Sequence, residues 1–408
     1  MRNALKLNNI NYINNVHSKS KGWITRSVIG EKWYSQWHYK YSELKDLDMS
    51  DENIYITLNT FYKPCRRIEN IKELNALFID LDYYKTGKTR SQVLMDLEKN
   101  YFNQSIPIPN YVIDSGRGMY LIWLINAVPS KALPLWKAIQ DYLYKQLKEL
   151  GADRQALDAT RILRVPGSKN SKSNTVVSVI DEYNYVYDLR EIQKGFLPEL
   201  KLYEKKRGRP KKVNYIFRER SLYYGRIQDI IKLCELRGYD LAPYYMRELI
   251  LFLYRYYLCS FLNDVEKALE DVLELNSMFR QPLRKSEVVK ATNSAEKCYL
   301  DNDKLYKYKN DTLIELLEIN KEEQTYMTII ISKEEYKRRE NIRGKKNYQE
   351  QLKAKGKLTE KEKISQRREK IKDLLAKGLT QKEIYTLMKI SKRTCINDVN
   401  FLRGQGLI

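Results

Sequence analysis

The sequence predicts a mixed α/β (α+β) region in its first half, followed by all-α regions. Three observations lead there. Runs of β-branched and aromatic residues, at 54–58, 76–82, 111–114 and 119–125, read as strands bounded by Gly and Pro. Between and after them, apolar residues recur at helical spacing, and from residue 227 onward that pattern dominates. A basic stretch, Glu204-Lys205-Lys206-Arg207-Gly208-Arg209-Pro210-Lys211-Lys212, separates the two halves. Its 408 residues leave room for two or three domains, and 43% hydrophobic residues suffice for buried cores.

Charge and composition narrow the function. Lys+Arg 74 against Asp+Glu 52 gives a formal charge of +22, a surplus that calls for a polyanionic partner. No apolar run is long enough for a transmembrane span, and the first residues lack a signal peptide's apolar core. The expected partner is nucleic acid, not a membrane, and the expected compartment is the cytoplasm. The cysteines (Cys65, Cys234, Cys259, Cys298 and Cys395) are scattered without C-x-x-C spacing, which fits reduced thiols. With His17 and His38 the only histidines, a His-rich nickase or relaxase site, a zinc-ribbon primase and a Ser-His-Asp hydrolase are all disfavoured.

In chain order, residues 1–75 are polar and aromatic with few clear periodicities, and 54–58 form the first strand. Arg66-Arg67 reads as a solvated basic loop. The strand over 76–82 ends in Asp80-Leu81-Asp82. In an extended strand, residues two apart share a face, so these carboxylates point the same way. Converging carboxylates suit a hard divalent cation, Mg²⁺ or Mn²⁺, although a turn with one solvated Asp explains them too. Gly87-Lys88-Thr89 is not a P-loop, because Asp82 stands where that motif needs glycine. Ser91 is expected to cap a helix running to about residue 100.

Tyr111-Val112-Ile113-Asp114-Ser115-Gly116-Arg117-Gly118 reads as strand into glycine turn, with a second strand after it. Ser115 and Arg117 can bond phosphate there, or the turn is an ordinary hairpin. A helix is expected over 131–150, with Leu135, Trp136, Ile139 and Leu143 on its apolar stripe. Gly151-Ala152-Asp153 follows. Then comes Asp158-Ala159-Thr160-Arg161-Ile162-Leu163-Arg164-Val165-Pro166-Gly167-Ser168-Lys169-Asn170, an acid between arginines and a Pro-Gly turn. A strand over 175–180 closes the unit.

The order D-x-D, S-G-x-G, D-x-x-R-x-x-R-x-P-G-S-x-N over about residues 50–190 resembles the archaeo-eukaryotic primase (primase-polymerase) superfamily. It looks most like the branch carried on plasmids and other mobile elements. That resemblance implies a primase-polymerase-like catalytic domain that takes nucleoside triphosphates. Carried over position by position, it implies that Asp80, Asp82 and Asp158 hold catalytic metal. Ser115, Gly116, Arg117, Arg161 and Arg164 would bind the triphosphate. Where the family commonly has histidine, two residues after the second glycine, this chain has Tyr120, a donor that stays neutral near pH 7.

The expected domains are 1–195 (primase-polymerase-like), 196–220 (basic linker), 221–332 (helical), 333–365 (charged linker) and 366–408. In the first linker, Arg207-Gly208-Arg209-Pro210 resembles an AT-hook core, with Arg207 and Arg209 in a narrow minor groove, or binds phosphates without specificity. At the end, Ile371, Leu374 and Leu375 begin an apolar face and Gly378 stops a helix. Thr380 with Glu383 caps the next helix, and Ile384, Leu387 and Met388 line its inner side. Ser391 caps a last helix cored by Val399 and Leu402. This resembles a helix-turn-helix, which implies Lys392, Arg393, Thr394 and Asn397 at DNA, though such patterns also occur in other bundles.

Together these features read as a plasmid or mobile-element replication initiation protein that binds origin and template DNA. Host replication proteins, including a helicase supplied in trans, would assist it. The alternative is a non-enzymatic origin-binding initiator or copy-control regulator with a degenerate primase domain.

Overall fold

In the computed structural model, the described residues are 2–197, 214–300, 308–354 and 358–408. Arg207, Arg209 and most of the basic linker lie outside them. The chain divides into two compact units, Met1–Ile330 and Ile331–Ile408.

The first unit begins with helix α1 (Arg2–His17), followed by strands β1 (Ile24–Ile29) and β2 (Tyr34–Tyr39). The short helix α2 (Tyr41–Leu44) and strands β3 (Ile54–Thr57), β4 (Thr60–Phe61) and β5 (Ile71–Leu81) come next. Helix α3 (Arg90–Asp96) leads to β6 (Tyr111–Asp114), β7 (Met119–Pro129) and helix α4 (Leu133–Leu147). Strands β8 (Ile162–Arg164), β9 (Lys169–Asn170), β10 (Thr175–Val176) and β11 (Ser178–Glu182) and helix α5 (Leu189–Phe196) complete the sheet-bearing part.

Two antiparallel sheets result. One has the order β11-β6-β7-β5-β4 and the other β2-β1-β3-β8, while β9 and β10 form a separate pair. β5 is buried along most of its length because side chains on both of its faces are covered, and its continuous apolar run meets that need. Helix α4 packs on β5, where the indole Nε1 of Trp136 donates to the Ala76 carbonyl at 2.8 Å.

Several local details differ from expectation. Thr89, not Ser91, caps α3, with Gln92 closing the capping box. A hydroxyl one residue before the first helical turn reaches the free N–H groups, whereas Ser91 is already inside it. The hairpin of β1 and β2 had no clear signal because polar residues interrupt its alternation. Arg67 is 4% exposed, so the Arg66-Arg67 pair is no solvated loop.

Helices α6 (Asn214–Leu236), α7 (Tyr244–Leu262), α8 (Val265–Ser277), α9 (Lys285–Leu300), α10 (Asn310–Leu316) and α11 (Lys321–Tyr326) form the helical part of the same unit. α7, apolar nearly all round, is its centre and packs against α6, α8 and α9. Asp229 on α6 ties down the end of the unit by accepting from the backbone N–H groups of Thr328, Ile329 and Ile330.

The second unit comprises α12 (Lys333–Ala354), α13 (Glu360–Ala376), α14 (Gln381–Leu387) and α15 (Lys392–Gly404). Ile371, Ile384, Cys395, Val399 and Leu402 form its core. Thr380 and Glu383 form the expected capping box, and Ser391 caps α15. Leu387 departs from expectation: it is 62% exposed, and the buried side of α14 is supplied by Ile384 with Tyr385 and Met388 packed beside it. At 100° per residue, a buried face centred on Ile384 and Met388 and widened by Tyr385 turns Leu387 to the opposite flank, toward solvent.

Candidate active site

β5 carries Asp80 into a cleft of about 430 Å³ lined by both sheets. The pairing of strands sets what surrounds it. Asp80 stands opposite Tyr120 on β7. On its other side, Leu81 bridges to Ala152, with the Asp153 N–H donating to the Asp80 carbonyl at 2.8 Å. In an antiparallel pair, opposed residues share a face, so Asp153 lies beside Asp80. The two positions flanking Asp82 are glycines. A Cβ at Gly118 would meet the Leu81 carbonyl at 2.7 Å, and one at Gly151 the Asp82 carbonyl at 2.8 Å. Backbone crowding admits no side chain at either place, so the end of β5 stays open.

Electrostatics set this acid group apart. Burial, then the Asp82 carboxylate, pushes the Asp80 carboxyl up to about 7, with Asp153 adding to the rise against Arg161 and Arg164. Asp82 is held at 2.6 Å by Lys85. Among the described residues, no three His, Cys, Asp or Glu side chains converge as a ready-made metal group. The donor chemistry nevertheless fits a hard divalent cation: carboxylates share a face, and the most buried of them resists ionising without a positive charge.

Asp158 lines the same cleft but is otherwise engaged. Its Oδ1 accepts from the Thr160 hydroxyl at 2.6 Å and the Thr160 N–H at 3.0 Å. Burial works against its charge, yet Lys267, Arg161, the Thr160 bond and Arg66 hold its pKa below the usual range. Asp153, passed over in the sequence, is the acid that the sheet brings to Asp80. Its only sequence signal was three residues, Gly151-Ala152-Asp153, too short to read as a strand.

The glycine turn joins β6 to β7. Gly116 has φ +99°, and a Cβ there would strike the Ser173 and Thr175 hydroxyls at 2.3 and 2.4 Å, so the position demands glycine. The Ser115 hydroxyl accepts from the Gly118 N–H at 3.3 Å, and the Ser115 carbonyl accepts from Asn170 at 2.7 Å. Arg117 is exposed, its guanidinium 5.0 Å from the centre of the Tyr84 ring.

Arg164, at the end of β8, lies over the Tyr55 ring at 4.8 Å and lines the cleft with Tyr120. Its buried Nε has no hydrogen-bond partner. Tyr120 is 4% exposed, and burial followed by the Asp80 charge raises its pKa well above the ordinary value, so it enters the cleft as a neutral hydroxyl. Arg161 donates to the Gln155 carbonyl at 3.3 Å and lies 4.0 Å from Asp153. The cleft therefore brings together Asp80, Asp82, Asp158, Ser115, Arg117, Tyr120, Arg161 and Arg164, with Lys172.

In the second unit, Lys392, Arg393 and Asn397 are exposed and Thr394 is half-buried, its hydroxyl 2.8 Å from that of Ser391. Asp398, on the inner side of α15, accepts from Arg367 at 2.6 Å and Arg368 at 2.8 Å. Among the described residues, no helix is long and apolar enough to cross a membrane.

No family model matches the chain. Among solved structures, it is similar to the primase-polymerase domain of cyanophage S-2L, at 16% identity, 46% of this chain, 96% of that one and TM-score 0.36. The catalytic domain of primase RepB′ in complex with initiator DNA matches at 13% identity, 47% and 93% coverage and TM-score 0.32. Primase RepB′ itself matches at 11% identity, 77% and 100% coverage and TM-score 0.33. In sequence, a replication protein of Clostridium perfringens is 77% identical over 408 residues, the full length of both chains. Agreement that close over the whole length places this chain in the family of that replication protein.

Proposed function

We propose that this replication protein initiates replication of a plasmid or mobile element, with its sheet-bearing part acting as a primase-polymerase-type nucleotidyltransferase. The observation that carries the reading is the cleft itself. One cavity gathers an acid group at the end of β5, a glycine turn and arginines from β8 and its approach.

Asp80 and Asp82 would hold divalent metal, Mg²⁺ or Mn²⁺. The third acid would be Asp153 in place of Asp158, because Asp153 is paired to Asp80 and Asp158 is bonded to Thr160. Metal bound there would supply the charge that lowers the pKa of an attacking 3′-hydroxyl and offsets the departing pyrophosphate.

The chain's own groups supply the rest. Arg161 and Arg164 present guanidinium groups to the triphosphate, and the unpartnered Nε of Arg164 leaves a donor for it. Gly116 and Gly118 allow close approach of backbone, and Ser115 and Arg117 add donors at the turn. Tyr120 stands opposite Asp80 in the sheet and lines the cleft with Arg164, where it offers a hydroxyl without adding charge.

α14 and α15 would form a helix-turn-helix that locates origin DNA through Lys392, Arg393, Thr394 and Asn397, while the surplus of basic residues holds template. Unwinding would come from a helicase supplied in trans. Template-dependent incorporation with Mg²⁺ or Mn²⁺, beside an Asp80→Ala/Asp82→Ala double variant, tests the enzyme. Incorporation abolished only in the variant supports it. No incorporation by the unaltered protein under any condition leaves the non-enzymatic initiator.

A further inference from the structure

The helical part of the first unit meets the sheet-bearing part along two edges of different chemistry. On one edge, α6 packs on α4, and both helices bury apolar side chains: Ile227 and Ile230 on α6, Leu135 and Ile139 on α4. On the other edge, α8 is docked by polar and charged groups. Glu266 Oε2 accepts from Gln155 Nε2 at 3.2 Å. Lys267, 16% exposed, is bonded to Asp271 on its own helix at 2.8 Å and lines the cleft together with Asp158. Glu274, farther along α8, lies 3.1 Å from the buried Arg67.

These contacts bear directly on the cleft. Lys267 and Glu270 are part of its lining, beside Asp158 and Arg66. Arg66 is in turn anchored to the Thr160 carbonyl at 3.0 Å, so α8 and the 153–160 loop share a patch of compensated charge. Apolar packing and ionic docking do not resist separation equally. Parting an apolar seam exposes surface with nothing to offset the cost. Buried ions regain their hydration on parting, so an ionic seam holds by a small margin. Polar interfaces within a chain are accordingly where relative motion is expected.

We propose that the helical part is a hinged cover on the cleft, pivoting on the α4–α6 packing and latched at its open edge by Lys267 of α8. What opening admits, a nucleic-acid strand, rests on the function proposed above; the hinge and latch do not. In the closed form Lys267 and Arg66 neutralise Asp158. When α8 lifts, the floor of the cleft is uncovered, and the cations are free to meet phosphate.

The test uses the full chain. Amide hydrogen exchange without nucleic acid is compared for the unaltered protein, Lys267→Met and Lys267→Arg. Lys267→Met should exchange severalfold faster in the first turn of α8 and in residues 153–160, with α4 and the α6 core unchanged. Lys267→Arg should restore slow exchange. Unchanged exchange at the α8 edge, or acceleration spread equally over α4 and α6, overturns the latch. A second variant closes the edge instead: Gln155→Cys/Glu266→Cys, bridged by a short bifunctional methanethiosulfonate reagent whose disulfide links are cleaved by reductant, because the two long side chains meet at their tips and cysteines are too short to pair directly. It should lose association with a single-stranded oligonucleotide and recover it on reduction. Association as fast when bridged as after reduction overturns the cover. If the unaltered protein binds no oligonucleotide, the proposed function fails instead, and the exchange comparison still decides the hinge.

Discussion

The cleft of the first unit and the outer side of α15 both concentrate ionisable groups, and they hold them in opposite ways. Asp80 and Tyr120 are turned inward, with pKa values raised by burial and by neighbouring carboxylates. Lys392 and Arg393 face solvent on a helix whose other side is locked by Cys395, Val399 and Leu402. Even the buried acid of that helix, Asp398, is fully answered by Arg367 and Arg368 and stays below the usual carboxylate range. The difference teaches what each region is suited to. Displaced, incompletely answered charge is poised to take up an ion or a reacting group. Exposed charge on a rigid helix reads a partner without changing state.

The comparison breaks most visibly at the acids. Asp80→Ala/Asp82→Ala should cut template-dependent incorporation by on the order of a hundredfold to a thousandfold, as expected when developing charge loses its partner. The same double variant should leave origin binding by the second unit unchanged in a mobility-shift titration. Loss of both would mean the two regions do not work separately.

A smaller effect is expected in the second unit's core. Ile384→Ala removes a fully buried side chain shared by α13, α14 and α15, and should cost about 2–5 kcal/mol of that unit's stability in denaturant unfolding. Incorporation by the first unit should persist.

On the outer side of α15 the effects should be smaller again. Asn397→Ala should cost about 1–3 kcal/mol of specific affinity, and Lys392→Ala should reduce the slope of log affinity against log salt by about 1. The reverse pattern, with Lys392 altering sequence preference, would exchange their roles.

Acid titration gives the subtlest test. Asp80 is raised from 3.8 to about 7 in the folded protein. Between those values the folded form keeps a proton that the unfolded form has lost, so stability falls as pH rises through that window and levels off above it. The thermal midpoint of Asp80→Asn should therefore gain on the unaltered protein across that window and hold its lead above pH 7. At high pH, added Mg²⁺ or Mn²⁺ should raise the midpoint of the unaltered protein and not that of Asp80→Asn. Equal shifts in both would remove the metal from this site.

What the sequence determined by itself is local. The apolar run of β5, the glycines at 116 and 118, the Thr380–Glu383 capping box and the Ser391 cap follow from side chains acting on their own few neighbours in the chain, and each is in place. The strand pairing was beyond it. Asp153 joins Asp80 because a bridge between Leu81 and Ala152 aligns two segments seventy-odd residues apart, and no local pattern encodes that register. The same holds for Arg67, buried against Glu69 and Glu274, and for Lys267, brought into the cleft by a helix more than a hundred residues after Asp158. A charged side chain's fate depends on which partner reaches it in the fold, so identical lysines and arginines read alike in sequence and differ in the structure.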